Sequence, residues 1–419
     1  MASLKNFAAQ QRVSLFIFFI VQSVIFITWA PLDKGKLNPA LSFVGAVPMS
    51  LPYGDYKVIA SAIQYHELGG NPYENGIFDF AGRKYNYPAY WLEMPFLGFD
   101  QAQIKYVYIV FATLFAIGLS LAFWNDRTKA WYSYLPFIFS PPVFLALERC
   151  NYELIVFFLV VLAVWICFRS RSHIAGWIGG GMMYLATVLK VFPVFGFIIF
   201  VRDSWKKTFL FLTPFAILSA AYFAYSRPYL KLVHENTPWS QFLSFGLNVL
   251  PFNIAKWIAP ESKVLPVYFL ALAWLLAAVM ILIGFRQGKR KLPGDGTGVY
   301  DAALFRGASC IYIAVFLMGS NFDYRLLFLL ATLPFIFRML REDTMRRSVY
   351  TMYLGCMLVG MWFSEANLLW RYNTFGRSFV LALNELCCWG LFFISVLLQF
   401  QLLPPFLREI IYRESAGSK

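Results

Sequence analysis

The chain has 419 residues, of which 59% are hydrophobic and 14% are charged. Soluble globular domains average roughly 45–50% apolar and 25% charged residues, so this composition excludes a soluble protein, a disordered chain, a coiled coil and a disulfide-rich secreted scaffold. The net charge of +14 comes from basic residues that cluster between apolar runs. Cytoplasmic loops carry such clusters under the positive-inside rule, and this distribution argues against a nucleic-acid partner.

Apolar runs that can cross a bilayer follow one another along the chain. The first, Val13 to Ala30, follows Lys5 and Arg12 and has no A-x-A cleavage signature, so we interpret it as a retained signal anchor with a cytoplasmic N-terminus. The later runs lie near 104–124, 130–147, 152–168, 174–189, 191–201, 208–226, 265–285, 302–319, 324–340, 348–364 and 379–403. They predict an all-α fold, a single integral-membrane domain over residues 1–419 with about twelve spans. Around Lys190 and Pro193 the sequence leaves the span count open.

The loops between these runs alternate in charge. Every loop that this topology places in the cytoplasm is basic, as the positive-inside rule requires. On the other side lie two long loops, residues 31–103 and 227–264, and short joints near 148–151, 190–193, 319–323 and 365–378. The first long loop is rich in Tyr, Trp, Phe, Asn and Pro, which predicts short helices on the membrane interface. We therefore expect a multi-pass protein of the inner or plasma membrane with an extracytoplasmic site.

Four polar groups lie on the outer side of the predicted membrane. They are Asp55 in the first loop, Glu148-Arg149-Cys150-Asn151-Tyr152-Glu153, Lys190, and Asn321-Phe322-Asp323-Tyr324-Arg325. Ionisable residues at the ends of spans are costly, and this makes them functional candidates. Cations at a membrane surface suit a lipid-linked phosphate, which makes Arg149, Lys190 and Arg325 candidates for binding it. A single carboxylate in the neighbouring loop, Asp55, suits a general base.

Each group also has a structural interpretation that the sequence leaves open. Asp55 could cap a helix, and the three cations could extend to lipid headgroups. The acids Glu148, Glu153 and Asp323 could instead neutralise those cations within the bundle. The presence of all four groups on one face favours the functional interpretation.

Further polar and aromatic residues are expected to support the substrates: Glu148, Asn151, Glu153, Asn321, Asp323, Tyr324, His66 and Tyr87. Tyr87 belongs to an aromatic segment, residues 85–91, of a kind that stacks on sugar rings or anchors at the interface. Walker A, GxSxG, HExxH and DxD patterns do not occur, and the missing DxD pair favours a sugar on a lipid phosphate over a nucleotide sugar. The six cysteines and three histidines show no zinc-site spacing, so no zinc site is predicted. No cofactor and no metal-ligand residues are expected, apart from the donor itself as co-substrate.

The sequence resembles the GT-C superfamily of integral-membrane glycosyltransferases. The features that carry the resemblance are the first span, the long outer loop with an early acid, the bundle that follows and the outer Lys-x-x-Pro joint at residues 190–193. The resemblance is greatest to the bacterial branch with the polyprenyl-phosphate-mannose-dependent mannosyltransferases of actinobacteria. It implies inverting transfer of a sugar from a polyprenyl-phosphate donor to a lipid-linked or cell-envelope glycan acceptor on the extracytoplasmic face. It also implies that Asp55 is the base and that Lys190 and Arg325 bind the donor phosphate. Many metal-dependent relatives have a pair of acids, but here Tyr56 follows Asp55, so metal dependence stays open.

Two other functions remain open at this point. A flippase or transporter for a polyprenyl-linked glycan would need charged residues along a path through the bilayer, whereas the candidates here lie at the outer ends of spans. The sequence also shows no internal repeat, which many transporter folds have. A glycan polymerase or ligase with a pyrophosphate-linked donor would use the same cations, Arg149 and Arg325.

Overall fold

The computed structural model describes residues 17–18, 20–22, 25, 52–97, 103–124, 131–170, 172–201, 204–237, 243–290, 292, 300–363 and 374–412. The predicted first span, Val13 to Ala30, lies largely outside the described residues, as does the first outer loop up to residue 51. Several basic loop residues of the predicted topology also lie outside them: Arg127, Lys129, Arg171, Arg202, Lys291, Arg413 and Lys419.

Helices make up nearly all of the described structure. The α-helices are α1 (Gly54–Glu67), α2 (Ile104–Ala122), α3 (Leu135–Ile138), α4 (Pro141–Glu148), α5 (Glu153–Arg169), α6 (His173–Leu189), α7 (Trp205–Asn236), α8 (Val249–Ile258), α9 (Leu265–Gln287), α10 (Tyr300–Leu317), α11 (Leu333–Glu342), α12 (Arg347–Trp362), α13 (Thr374–Gln401) and α14 (Pro405–Tyr412). The 3-10 helices are Ala89–Glu93, Pro95–Leu97, Trp131–Tyr134, Phe192–Phe200, Asp323–Thr332 and Thr344–Arg346. Two short strands, β1 (Ser244–Phe245) and β2 (Asn321–Phe322), pair antiparallel. The predicted all-α fold is confirmed.

Five of the described helices are long and apolar enough to cross a membrane: α2, α7, α9, α10 and α13 from Ser378 onward. A sixth span results if α4 and α5, which meet at 113°, form one bent span. Large apolar side chains on α9, such as Val267, Leu272 and Leu275, are more than half exposed, and lipid is the environment that such a surface requires. The expected count of about twelve spans stays a prediction.

Three of the predicted spans are not single continuous α-helices. The run 130–147 contains a 3-10 helix, α3 and α4; the run 191–201 is the 3-10 helix Phe192–Phe200; and the run 324–340 is a 3-10 helix followed by α11. Prolines explain these divisions, because proline lacks an N–H group and collides with the preceding helical turn, so it favours the first turn of a new helix. Pro136, Pro141 and Pro334 all lie at such helix starts. The predicted second outer loop, 227–264, also begins in a helix, because α7 continues to Asn236.

The chain divides into two compact units. The first contains Met1–Lys129, Val143–Val194 and Thr213–Trp239; the second contains Ala130–Pro142, Phe195–Leu212 and Ser240–Lys419. In the first unit α5 packs against both α2 and α6, and in the second α13 packs against α9, α10 and α12. Gly118 permits the close approach of α2 to α5, since a Cβ there would lie 3.1 Å from the Cα of Phe158. The interpretation of residues 1–419 as one domain stays a prediction.

Helix α1 gives the first outer loop its structure. One face of α1 is buried, with Tyr56, Ile59 and Ile63 fully inaccessible, while its last turn is exposed. The Tyr56 hydroxyl donates to the Leu97 carbonyl at 3.0 Å, which fastens the end of the described loop to α1. The helix ends at Glu67, and Gly69, just beyond it, has a φ of 81°, the left-handed conformation that glycine adopts at low cost. The buried face positions the start of α1, where Asp55 lies.

Candidate active site

The turn before α1 pairs with the turn between α4 and α5. The Tyr53 N–H donates to the Glu148 carbonyl at 2.9 Å, and the Asp55 N–H donates to the Arg149 carbonyl at 3.1 Å. Tyr53 and Cys150 both have left-handed backbones, with φ of 61° and 47°. Non-glycine residues rarely adopt this conformation, and such strain concentrates at functional sites. The left-handed residue of this turn is Tyr53 and not the glycine that follows it, Gly54.

The break between α4 and α5 exposes backbone groups to side chains of the site. The Asn151 N–H donates to the Ala146 carbonyl at 2.9 Å, which closes α4. The Asn151 Oδ1 accepts the N–H of Glu153 at 2.9 Å, which satisfies a donor at the start of α5. Because its acceptor oxygen is held in this way, the Nδ2 of Asn151 points to Asp55.

The Asp55 carboxylate is bound on both oxygens. Arg149 Nη2 donates to Oδ1 in an ion pair, and Asn151 Nδ2 donates to Oδ2 at 2.6 Å. Asp55 is only 4% exposed. Burial by itself raises the pKa of Asp55, but the charge and hydrogen bond of Arg149, the amide of Asn151 and the charge of Arg83 outweigh it, so the pKa lies below its ordinary value. Asp55 is therefore ionised at neutral pH.

Asp55 is not a helix cap. The N-cap position of α1 is Tyr53, which makes no capping hydrogen bond with its side chain, and Asp55 lies in the first turn. Its negative charge is favourable there because the N-terminal end of a helix is partially positive. Its hydrogen bonds, however, go to Arg149 and Asn151 in a different part of the chain, so the capping interpretation is wrong.

Lys190 lies in an aromatic setting beside Glu153. Its ammonium is 2.6 Å from Glu153 Oε1, and the side chains of Lys190 and Glu153 are 9% and 0% exposed. The same ammonium lies 4.1 Å from the ring centroid of Tyr152 and 5.9 Å from that of Tyr87, distances at which a cation is attracted to a ring face. Trp91 Nε1 donates to the Leu189 carbonyl at 3.2 Å. The aromatic segment of the first loop thus covers the end of α6.

The loop that carries Tyr87 is fixed to the end of α7. Asn236 Nδ2 donates to the carbonyls of Tyr73 and Tyr85, at 2.9 and 3.0 Å. The Tyr73 hydroxyl donates to the Tyr87 carbonyl at 2.8 Å, and the rings of Tyr87 and Tyr152 meet edge to face at 5.0 Å. The resulting cluster of tyrosines and Lys190 joins the loop, α5 and α6 within the first unit.

Of the predicted site residues, the structure brings together Asp55, Arg149 and Asn151, and it pairs Lys190 with Glu153 next to Tyr87. Glu148 is buried, and its carbonyl belongs to the turn already described. His66 is exposed in the last turn of α1. It follows Asp55 by eleven residues of helix, a rise of about 16 Å, so the structure does not place His66 with the carboxylate.

The remaining predicted residues belong to the second unit. Arg325 Nη1 donates to Asn321 Oδ1, and Asn321 Nδ2 donates to the Val315 carbonyl at 2.6 Å. The Tyr324 ring stacks on Phe322, with centroids 5.5 Å apart. Asp323 is fully buried, and its N–H donates to the Leu243 carbonyl at 3.0 Å. This cluster is anchored by the pairing of β1 with β2.

Sequence reasoning missed two residues near Asp55. Asp79 and Arg83 form an ion pair, and the Arg83 guanidinium reaches the Gly54 carbonyl at 3.0 Å. An Asp four residues before an Arg in a Gly-containing loop was the available signal, but such pairs are common on surfaces. Among the described residues, no three His, Cys, Asp or Glu side chains are grouped so that they could hold a metal ion.

A sequence profile described as glycosyltransferase family 87 matches residues 85–295, half of the chain. The chain belongs to glycosyltransferase family 87. This is a family of membrane glycosyltransferases of the GT-C type, so the predicted superfamily is confirmed, while the mannosyltransferase branch stays a prediction. No curated protein and no solved structure matches the chain.

The family 87 match covers only some of the predicted site residues. Tyr87, Arg149, Asn151, Glu153 and Lys190 lie inside the matched range. Asp55 and the cluster around Arg325 lie outside it. The activity class therefore follows from the family, whereas the role of each residue must be argued from the geometry.

Proposed function

We propose that this family 87 glycosyltransferase moves a sugar from a polyprenyl-phosphate donor to a lipid-linked or cell-envelope glycan on the extracytoplasmic face of the membrane, with inversion at the anomeric carbon. A mannosyl donor is the first to test, because the sequence resembles the mannosyltransferase branch. In this proposal the enzyme is a multi-pass protein of the inner or plasma membrane. Its lipid donor and glycan acceptor are its partners, and it needs no cofactor.

The observation that supports this proposal best is the Asp55 carboxylate, held between Arg149 and Asn151 at the break between α4 and α5. An inverting transfer requires a base that takes the proton of the acceptor hydroxyl as that oxygen attacks the anomeric carbon. A carboxylate oxygen has two lone pairs, so each oxygen of Asp55 can accept a substrate hydroxyl and keep its bond to the protein. A base fixed in this way meets its substrate in one orientation, which lowers the entropy cost of the reaction.

The depressed pKa of Asp55 decides its protonation state. Because Arg149 and Asn151 stabilise the ionised form, Asp55 carries no proton at neutral pH and can accept one from the acceptor. The same stabilisation makes Asp55 a weaker base than a carboxylate in water. The hydroxyl compensates for this, since it becomes more acidic as its bond to the sugar forms.

The donor phosphate gains negative charge as it leaves, and nearby cations stabilise that charge. Arg149 and Lys190 are the candidates in the first unit: Arg149 bonds Asp55, and Lys190 pairs with Glu153 beside Tyr152. Arg325 is the candidate in the second unit. The tyrosines around Lys190 supply aromatic faces on which a sugar ring can stack.

The test is a donor panel on the purified full-length protein in lipid nanodiscs. Radiolabelled polyprenyl-phosphate mannose, polyprenyl-phosphate glucose and polyprenyl-phosphate arabinose are each incubated with an extracted glycolipid fraction, with and without a chelator. We expect transfer from one polyprenyl-phosphate sugar and none from the matching nucleotide sugars. Transfer from a nucleotide sugar without lipid intermediates, or movement of a lipid-linked glycan across vesicles without any transfer, would contradict the proposal.

A further inference from the structure

A bend in the first outer loop is organised around Asp79. Its carboxylate Oδ2 accepts the N–H groups of Ala81 and Arg83, both at 3.0 Å. The two oxygens also accept Nε and Nη2 of the Arg83 guanidinium at 3.0 and 3.1 Å, a two-point geometry that fixes the plane of the guanidinium. The centroid of the Phe80 ring lies 4.6 Å from the Arg83 guanidinium carbon, so a cation–π contact also holds the guanidinium. Asp79 therefore presents Arg83 in one orientation.

The oriented guanidinium reaches the start of α1. Arg83 Nη2 donates to the Gly54 carbonyl at 3.0 Å, across 29 residues of sequence. Gly54 directly precedes Asp55, whose own N–H is bound by the Arg149 carbonyl. The peptide group that joins Gly54 to Asp55 is thus held at its carbonyl by Arg83 and at its N–H by the turn between α4 and α5. The Asp55 side chain, which branches from the next backbone atom, therefore has little freedom to move.

We propose that Arg83 is a positioning residue for Asp55: it binds the Gly54 carbonyl, and Asp79 holds its guanidinium in place for that contact. Arg83 touches no substrate in this proposal and acts only through Asp55. The inference rests on the proposed role of Asp55 as the base. It extends that role, because it connects the catalytic carboxylate to a loop bend that neither the family match nor the sequence motifs include.

Arg83 also acts on Asp55 through its charge. The titratable or charged groups that act on Asp55 are Arg149 and Cys150 from the turn between α4 and α5, and Arg83 from the loop. Arg149 contributes most of the charge that lowers the pKa of Asp55, and Arg83 contributes less. Loss of Arg83 should therefore raise the pKa of Asp55 by a modest amount while Arg149 keeps the carboxylate ionised at neutral pH.

The alternative is that the ion pair of Asp79 and Arg83 only stabilises the loop. In that case its loss would lower the amount of folded protein, and the folded remainder would have the parental pH dependence. A positioning residue predicts a different result, because it changes the geometry and the pKa of the base in folded protein. The pH profile separates the two.

The experiment compares three variants of the full-length protein in nanodiscs: Arg83→Gln, Asp79→Asn and Lys84→Gln. Lys84 is the matched control, since it is an exposed cation next to Arg83 and has no contact with Gly54 or Asp79 among the described residues. The rate of amide hydrogen exchange at residues 54–58, measured without substrate, reports how firmly the start of α1 is fixed. The pH dependence of kcat/KM with the polyprenyl-phosphate sugar reports the state of Asp55.

We expect faster exchange at residues 54–58 in Arg83→Gln and Asp79→Asn, lower kcat in both, and an acid limb that moves to higher pH in Arg83→Gln. Lys84→Gln should match the parent in both measurements. Faster exchange with an unmoved acid limb would reduce Arg83 to a structural contact and overturn the inference, as would equal effects in Lys84→Gln. If Asp55→Asn keeps parental turnover, the proposed base fails instead, and the exchange rates still report whether Arg83 holds α1.

Discussion

The buried pair of Lys190 and Glu153 permits a prediction that separates stability from donor binding. We consider Lys190→Met, which removes the ammonium and keeps an apolar side chain of similar length beside Tyr152. Glu153 is then left fully buried without the ammonium that lies 2.6 Å from it. The second variant, Lys190→Met with Glu153→Gln, removes both charges and keeps both shapes.

The two variants should differ in stability. Removal of one partner from a buried ion pair destabilises a protein by about 3–5 kcal/mol, because the other charge stays buried. Replacement of both partners by neutral side chains of similar volume is often nearly neutral. We expect Lys190→Met to unfold at a markedly lower temperature than the parent, and the double variant to recover most of the loss.

Donor binding should not recover with stability. A charge-assisted hydrogen bond to the donor phosphate is worth about 1.5–3 kcal/mol. Its loss corresponds to roughly 10- to 150-fold weaker binding at about 1.4 kcal/mol per decade. The assay pairs thermal unfolding, followed by tryptophan fluorescence, with equilibrium binding of a radiolabelled polyprenyl-phosphate sugar in nanodiscs. Parental affinity in the stable double variant would refute a donor contact at Lys190, and parental stability of Lys190→Met would refute the buried-pair argument.

Two further predictions concern topology and acid stability. A cysteine in place of exposed Leu68 should react with a membrane-impermeant maleimide in intact cells, and a cysteine in place of exposed Lys289 should react only after lysis. Labelling of Lys289→Cys in sealed cells would contradict the predicted topology. Because the folded-state pKa of Asp55 is depressed, its ionised form contributes stability above an unfolded-state pKa of about 4, and this contribution is lost as pH falls through the folded-state pKa. The parent should therefore exceed Asp55→Asn in thermal midpoint by a constant amount from pH 5 to 8, with a smaller difference at lower pH; a difference that grows toward acid would contradict the ion pair.

Composition and hydropathy were enough to predict the fold class, because apolar runs much longer than the roughly 10 residues of a barrel strand satisfy their backbone groups as helices. They were less informative about where helices break. The run 324–340 has the hydropathy of a span, yet it begins as a 3-10 helix and becomes an α-helix at Leu333. Hydropathy averages over a window, so it does not register a change of backbone conformation within the window.

The candidate site was predicted in part. Asp55, Arg149 and Asn151 could be chosen from the sequence because polar residues at the end of an apolar run are unusual. The hydrogen bonds between them could not be predicted, because they join residues more than 90 positions apart. These contacts depend on a left-handed turn at Tyr53 and another at Cys150. The contact of Arg83 with Gly54 was missed for a similar reason. It depends on the bend around Asp79, whose hydrogen bonds follow from three-dimensional geometry and not from a recognisable motif.

The most direct test of the account is the turnover of Asp55→Asn beside that of Glu67→Gln, an exposed acid at the other end of α1 that serves as the matched control. Asn has the shape of Asp and can still accept the hydrogen bond of Asn151, but it cannot take a proton from the acceptor hydroxyl. Base catalysis by a positioned side chain contributes about 10²–10⁴-fold, so the turnover of Asp55→Asn should fall by that factor. This variant should still bind the polyprenyl-phosphate donor, and Glu67→Gln should turn over at the parental rate. Turnover of Asp55→Asn within a few-fold of the parent would remove Asp55 from the chemistry and contradict the proposed mechanism.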